Sequence, residues 1–167
     1  MSRQHRIELP LAAWPAADRA AWEDLFRSGD ILDGQGAAVH WAEATRSTNR
    51  KHYARWLGWL AANDLMLVDL APWERVTPAN VEAYARTLID RLAPRTAASA
   101  LIGLKCVVQR MRPDHDWRWL KDLTNRLDRL GNAVAGQPRA GPLGVRHVHA
   151  GSCRAGAARP RPAREAA

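Results

Sequence analysis

Between Arg46 and Leu60 the large apolar residues recur three and four apart: Tyr53, Trp56, Leu57 and Leu60. At 100° per residue they fall on one stripe of a helix, while Thr48, Lys51 and Arg55 fall on the opposite side. A second stretch opens at Pro94-Arg95-Thr96 and places Ala97, Leu101, Leu104, Val108 and Met111 on one stripe. A helix with one apolar stripe has to bury it against another element. Shorter helical patterns supply partners: Trp22, Leu25 and Phe26 within 16–26, then Val81, Tyr84, Ala85, Leu88 and Leu92. A last one carries Leu120, Leu123, Leu127 and Leu130. No segment alternates with the period of two that a half-buried strand requires. The sequence therefore predicts an all-α fold, a small helical bundle.

Local signals set the expected boundaries. Residues 1–14 read as extended, with Pro10 and Pro15 bracketing Leu9, Leu11 and Trp14, and 29–36 is a turn-rich connector. Ser47 or Thr48 is the expected N-cap of the long basic helix, which ends near Ala62-Asn63-Asp64. Leu65–Trp73 reads as a packed connector. Thr77-Pro78 combines a capping threonine with proline at the first helical position. Asp116 is the expected cap of the last helix, and Gly131-Asn132 its end.

Three segments follow: an N-terminal arm with a short helix over 1–37, a helical domain over 38–132, and a tail over 133–167. All eight tryptophans precede residue 120, so the material for a core lies in the first two. The tail is built from Ala, Gly, Arg, Pro and His without apolar periodicity, and disorder is expected there. Its composition is also that of a GC-rich gene read out of frame, so a frameshift near residue 132 is one expected origin. Six arginines against Glu165 give the tail +5 of the total +8, leaving +3 for residues 1–132. That balance favours a polyanionic partner without proving one. Cys106 and Cys153 define no disulfide framework, and no apolar run suits a signal peptide or a membrane span. A cytoplasmic protein, nucleoid-associated when bound to DNA, is the expectation.

The order and spacing of several elements resemble the N-terminal core-binding (SAM-like) domain of tyrosine recombinases, the phage-integrase family. They are Ser47-Thr48 with Tyr53, Trp56 and Trp59-Leu60; Arg75-Val76-Thr77-Pro78 with Val81 and Tyr84; Arg95-Thr96-Ala97 with Leu101 and Leu104; and Asp116-Trp117. The arm, through Trp14-Pro15, Asp18-Arg19, Trp22 and Gly29-Asp30, fits the same pattern. The resemblance spans nearly all of 9–132. It implies a helical half-clamp on double-stranded DNA, with a role in DNA integration and recombination for a mobile element. An intact integrase subunit is then a second partner. The family's catalytic half, which carries the nucleophilic tyrosine, has no counterpart in the 35 residues after Asn132. Tyr53 and Tyr84 lie on core stripes, so no enzymatic activity is expected.

Under the resemblance, DNA contacts come from the first long helix and the Arg95 helix. The candidates are Arg46, Thr48, Arg50, Lys51 and Arg55 on the first, and Arg95, Thr96, Ser99, Lys105 and Gln109 on the second. Arg95, Ser99, Ile102, Cys106, Gln109 and Arg110 face away from the leucine stripe. Ala98, Ser99 and Gly103 are small enough for close approach to a sugar-phosphate wall. Gln109 suits a base edge, whereas Arg and Lys set affinity. If Arg46, Lys51, Arg55, Arg95 and Lys105 each neutralise a phosphate, log K falls with log salt at a slope of roughly −4 to −5.

The competing reading is a helical protein–protein adaptor whose Trp-rich arm, Leu9 to Phe26, docks a partner, with nonspecific DNA binding by the tail alone. A solvated charged face is the ordinary meaning of any one of these cations. Trp56 and Trp117 read as core, while Trp59 and Trp119 sit at stripe edges where base stacking is conceivable. His147, His149 and Cys153 lack a fourth ligand and a fold to hold a metal, and no cofactor is implied. Two helices at helix-turn-helix spacing are not present.

Overall fold

The computed structural model describes residues 8–29 and 34–135. Among them the architecture is all-helical, with no strand. A single 3₁₀ turn at Leu11–Ala13 precedes five helices: α1 (Ala16–Asp24), α2 (Glu43–Ala62), α3 (Pro78–Arg91), α4 (Pro94–Met111) and α5 (Arg118–Ala135). The tail expected from Ala133 starts later than that, because residues 133–135 close α5; the rest of it, with His147, His149 and Cys153, lies outside the described residues.

α4 is the central helix. Ala97, Ala98, Ala100, Leu101, Gly103, Leu104, Val107 and Val108 are all buried, leaving one narrow open stripe. It packs most extensively against α5 and α2 and less against α3. The α2 stripe is as expected: Tyr53, Trp56, Leu57 and Leu60 are fully buried. The Thr77 hydroxyl accepts from the Asn80 amide, capping α3 where Thr77-Pro78 placed its start.

Four expectations change. α2 begins at Glu43, with Ala42 as a cap that offers no side chain, so Ser47 and Thr48 lie inside the helix rather than at its end. The negative charge of Glu43 in the first turn suits a helix N-terminus without a capping hydroxyl. On α5 the buried set is Leu120, Thr124, Leu127 and Gly131, while Leu123 is half-buried and Leu130 is 59% exposed. Thr124 is tolerated inside because its hydroxyl donates to the Lys121 carbonyl, 2.8 Å away. Nor does Gly131 stop the helix, which continues to Ala135. A Cβ there would lie 3.2 Å from the Arg95 nitrogen, so the glycine lets α5 pass close to the start of α4.

The small residues of α4 also serve a different purpose from the one expected. Ala98 and Gly103 are buried, and only Ser99 is exposed. A Cβ on Gly103 would meet the His52 ring at 2.3 Å and the His52 Cβ at 2.7 Å. The glycine admits the imidazole of α2, so it brings two helices together and meets no sugar-phosphate wall.

The arm is part of the same core. Trp14, Trp22 and Leu25 are buried with the residues of α2 to α5. The Leu9 amide donates to the Ala54 carbonyl of α2 at 2.9 Å, and the Trp14 indole N–H donates to the Leu9 carbonyl at 2.9 Å. Trp14 meets Trp22 and Tyr53 edge-on, with centroids 5.9 and 5.2 Å apart. Beneath them lies a buried charge cluster. Asp18, on α1, accepts from the Tyr53 hydroxyl at 2.7 Å and from the Arg75 guanidinium at 2.5 Å. Both ion-pair side chains are essentially inaccessible, 0% for Asp18 and 1% for Arg75. Arg75 also donates to the Met66 sulfur at 3.0 Å, and its own carbonyl accepts from Asn80.

Removing one partner of a buried pair leaves the other charge uncompensated, which costs about 3–5 kcal/mol. Asp18→Asn, read by urea unfolding, is expected to lose stability of that order. Loosening should be largest in the arm, reported by the fluorescence of Trp14 and Trp22. Gly103→Ala should also destabilise, since overpacking costs about 1–3 kcal/mol and the gain in helix propensity is only about 1 kcal/mol. The His52→Ala/Gly103→Ala double variant should recover part of that loss, because the ring contacts are then gone and only the contact with the Cβ of residue 52 remains. Additive losses would count against the contact as described.

Candidate functional site

α2 and α5 both run antiparallel to α4. His52 lies against Gly103 in mid-helix, the Arg110 guanidinium sits 4.9 Å over Trp41 just before α2, and Gly131 of α5 lies against Arg95. Antiparallel right-handed helices turn their side chains in opposite senses when seen from one end. Taken at 100° per residue from these contacts, Thr48, Lys51 and Arg55 of α2 point to the same side as Arg95, Ser99, Ile102, Cys106 and Gln109 of α4. The other side of α4, through Leu101, Leu104 and Val108, is buried.

The side chains on the open side are accessible to different degrees. Thr48, Lys51, Arg95 and Ser99 are exposed, and Arg55, Ile102, Cys106 and Gln109 are half-buried. Lys105 is half-buried on the α5 edge of the α4 stripe, and Thr96 is exposed in the first turn of α4. The Ser99 hydroxyl donates back to the Arg95 carbonyl at 3.0 Å, so it presents chiefly an acceptor to an incoming group. Arg55 pairs with Glu8 at 2.9 Å, which partly neutralises it.

Arg46 and Arg50 belong elsewhere. They lie 100° or more around α2 from Lys51 and Arg55, by the same rotation per residue. Arg46 stacks over the Phe26 ring of the arm at 3.9 Å. Such a cation–π contact holds the stem in place on the arm's side of the helix. The structure thus gathers Thr48, Lys51, Arg55, Arg95, Ser99 and Gln109 on one face, with Lys105 and Thr96 at its edges.

Charge is distributed unevenly over the surface. Asp64, Asp69, Glu74, Glu82 and Asp90, all exposed, cluster in the α2–α3 connection and on α3. The face formed by α2 and α4 carries cations with Glu8 as the acid paired to one of them. Among the described residues no group of three His, Cys, Asp or Glu side chains could hold a metal ion. No described helix is long and apolar enough to cross a membrane.

The aromatic residues are committed to packing. Trp56 and Trp59 stack at 5.5 Å, both contact Tyr84, and the Trp59 indole donates to the Thr87 hydroxyl at 3.1 Å. Trp59 is therefore a core residue rather than a base-stacking platform. Trp119 is half-buried beside Trp117, which is buried. Both tyrosine hydroxyls are inaccessible, and burial pushes each up from its ordinary pKa of 10. For Tyr53 the neighbouring Asp18 carboxylate adds to that shift. Neither phenol is placed to attack an external phosphodiester.

Comparisons were made with protein-family models, curated proteins and solved structures. None of them matches this chain.

His52 sits at the seam between the two open stripes. Burial, and then the positive charge of Arg55, hold its pKa below the ordinary 6.5 against a weaker opposing effect of Glu8. Its Nδ1 is buried with no hydrogen-bond partner among the described residues. Sequence reading assigned this residue no role. The signal was its position one turn before Trp56, on the edge that faces α4.

The sign of the resulting pH dependence follows from linkage. The unfolded chain takes up the His52 proton near 6.5, whereas the folded chain takes it up only at lower pH. Stability from this group is therefore complete above 6.5 and declines as pH falls toward the lowered folded value. Urea unfolding between about pH 7.5 and about pH 5.5 should show that decline. His52→Gln should flatten it in the same window, and an unchanged slope would remove His52 from the titration.

Proposed function

We propose that this domain binds duplex DNA through the face formed by α2 and α4. The observation that supports the reading is the common orientation of the two stripes. Lys51, Arg55 and Arg95, with Lys105 at the edge, are offered from one side of an antiparallel helix pair. The exposed acids of the α2–α3 connection and α3 lie on other elements. Cationic groups spaced along a rigid face suit phosphates, and phosphate contacts position a protein without reading sequence. Gln109 is the side chain on this face best suited to a base edge, as its amide offers a donor and an acceptor together.

On this reading, and by the resemblance to tyrosine recombinase core-binding domains, the domain acts as the binding half of a recombinase clamp. It occupies recombination sites, alone or beside an intact integrase subunit, without cutting DNA itself. The adaptor alternative loses its proposed docking element, because Trp14 and Trp22 of the arm are buried in the domain's own core.

Four cations on the face predict a salt slope of about −3.6, since each neutralised phosphate contributes roughly 0.9. This is shallower than the five-cation estimate because Arg46 lies off the face. The test is binding of the full chain, and of a chain ending at Ala135, to a labelled duplex over a range of salt. A Lys51/Arg55/Arg95/Lys105 quadruple alanine variant is measured beside them. The expected result is salt-dependent binding that survives removal of 136–167 and collapses in the quadruple variant. Binding lost with the tail, or a slope near zero in the shortened chain, would overturn the proposal.

A further inference from the structure

A cleft lies where α4 turns into α5. Its volume is about 290 Å³, and it is lined by Gln109, Pro113, His115, Asp116, Trp117, Arg118 and Lys121. Two of these residues connect it to the face already described. Gln109 is the last member of the α4 stripe on that side. Lys121 belongs to α5, which runs antiparallel to α4 along the edge away from α2. With Leu120, Thr124, Leu127 and Gly131 turned toward the core, 100° per residue puts Lys121 and Asn125 on the same side as Gln109. That both Gln109 and Lys121 line one cleft is an independent observation of the same arrangement.

The charges within the cleft are not equivalent. Arg118 is held by Asp116 through a forked set of contacts, Nε to both carboxylate oxygens at 2.9 and 3.1 Å and Nη2 to Oδ2 at 2.7 Å. Those bonds, with the Arg118 backbone N–H, hold the exposed Asp116 carboxyl down to about 2, so it stays ionised and engaged. Lys121 makes no ion pair among the described residues, and its ammonium is the uncompensated charge at the cleft rim. The Trp117 indole N–H is turned inward to the Arg112 carbonyl at 2.8 Å and does not compete for a ligand. The Lys121 ammonium and the Gln109 amide are free donors, as are Arg118 Nη1 and the exposed His115 ring. Two turns further along the same side of α5, Asp128 ends the cationic run.

We propose that this cleft seats one backbone phosphate of duplex DNA, with Lys121 as the charged contact and Gln109 beside it. The proposal rests on the DNA-binding reading above and extends the contact surface onto a third helix. The dimensions agree. From Arg95 to Gln109 the α4 stripe rises about 21 Å, close to six base-pair steps at 3.4 Å per step. A phosphate at the Gln109 end therefore lies within the footprint of a short duplex laid along α4. A volume near the lower limit of ligand pockets suits a phosphodiester unit better than a large organic ligand.

The experiment uses the full chain and a labelled duplex of about twenty base pairs, with affinity followed between about 50 and 200 mM salt. Parent, Lys121→Gln, Lys51→Gln and Arg86→Gln are compared, so that the tail contributes equally to all four. Arg86 points outward from α3 and controls for loss of one positive charge anywhere. Lys121→Gln is expected to make the slope shallower by about 0.9 and to weaken binding severalfold, as Lys51→Gln does. Arg86→Gln should leave the slope unchanged. Because Lys121 is exposed, unfolding curves should coincide with the parent. If Lys51→Gln changes the slope and Lys121→Gln behaves like Arg86→Gln, the cleft proposal fails while the α2–α4 face stands. If Arg86→Gln shifts the slope as much as Lys121→Gln does, the effect is net charge and the cleft again fails. A parent that does not bind DNA overturns both.

Discussion

The Asp18–Arg75 pair, with the Tyr53 hydroxyl on the second carboxylate oxygen, joins parts of the chain that no local interaction connects. Asp18 stands on α1, Tyr53 on α2 and Arg75 in the connection to α3. Charged groups this deep pay a large desolvation cost, so the arrangement is stable only with all partners in place. Once formed, it fixes the arm against α2 and sets where the α2–α3 connection returns to the core. The Trp14–Tyr53–Trp22 packing closes over it. Everything on the open side depends on α2 being held in this orientation, because the same helix carries Tyr53 inward and Lys51 outward.

The two sides of the molecule therefore do different work. On the covered side, aromatic contacts and a buried ion pair hold the arm, α2 and α3 together. On the open side, α2, α4 and the start of α5 show long cationic side chains over small ones. The Glu8–Arg55 pair lies at the margin between the two. On the proposed reading a phosphate at Arg55 would compete with a carboxylate already bound there, whereas Lys51 and Arg95 have no ion-pair partner among the described residues.

Much of this was legible in the sequence where one residue type has one dominant meaning. Thr77-Pro78 marks a helix start by capping chemistry and a fixed φ, and the Tyr53, Trp56, Leu57 and Leu60 spacing marks a buried stripe. Legibility failed where a residue type has two uses. Serine and threonine cap helices but also sit on their surfaces, so Ser47 and Thr48 suggested a start that Glu43 takes instead. Glycine ends helices but also admits neighbours, which is its use at Gly131 and Gly103. Leu130 matched the α5 stripe by type, yet Thr124 and Gly131 occupy the packed side by position. The ion pair was hidden by the usual exposure of Asp and Arg and by 57 residues of separation. Its one sequence trace is that Asp18 shares the i, i+4, i+7 stripe of Trp22 and Leu25. The shared orientation of the candidate stripes needed the antiparallel pairing of α2 and α4, which periodicity within each helix does not specify.

The close seat of His52 on Gly103 has a consequence for how such a face would engage anything. With no slack between α2 and α4, the two rows of side chains cannot splay or slide to fit a ligand. The backbone geometry is set before any encounter, and little ordering of the main chain is left to be lost on association. Adaptation falls to the terminal torsions of lysine and arginine, and to whatever bends in the partner.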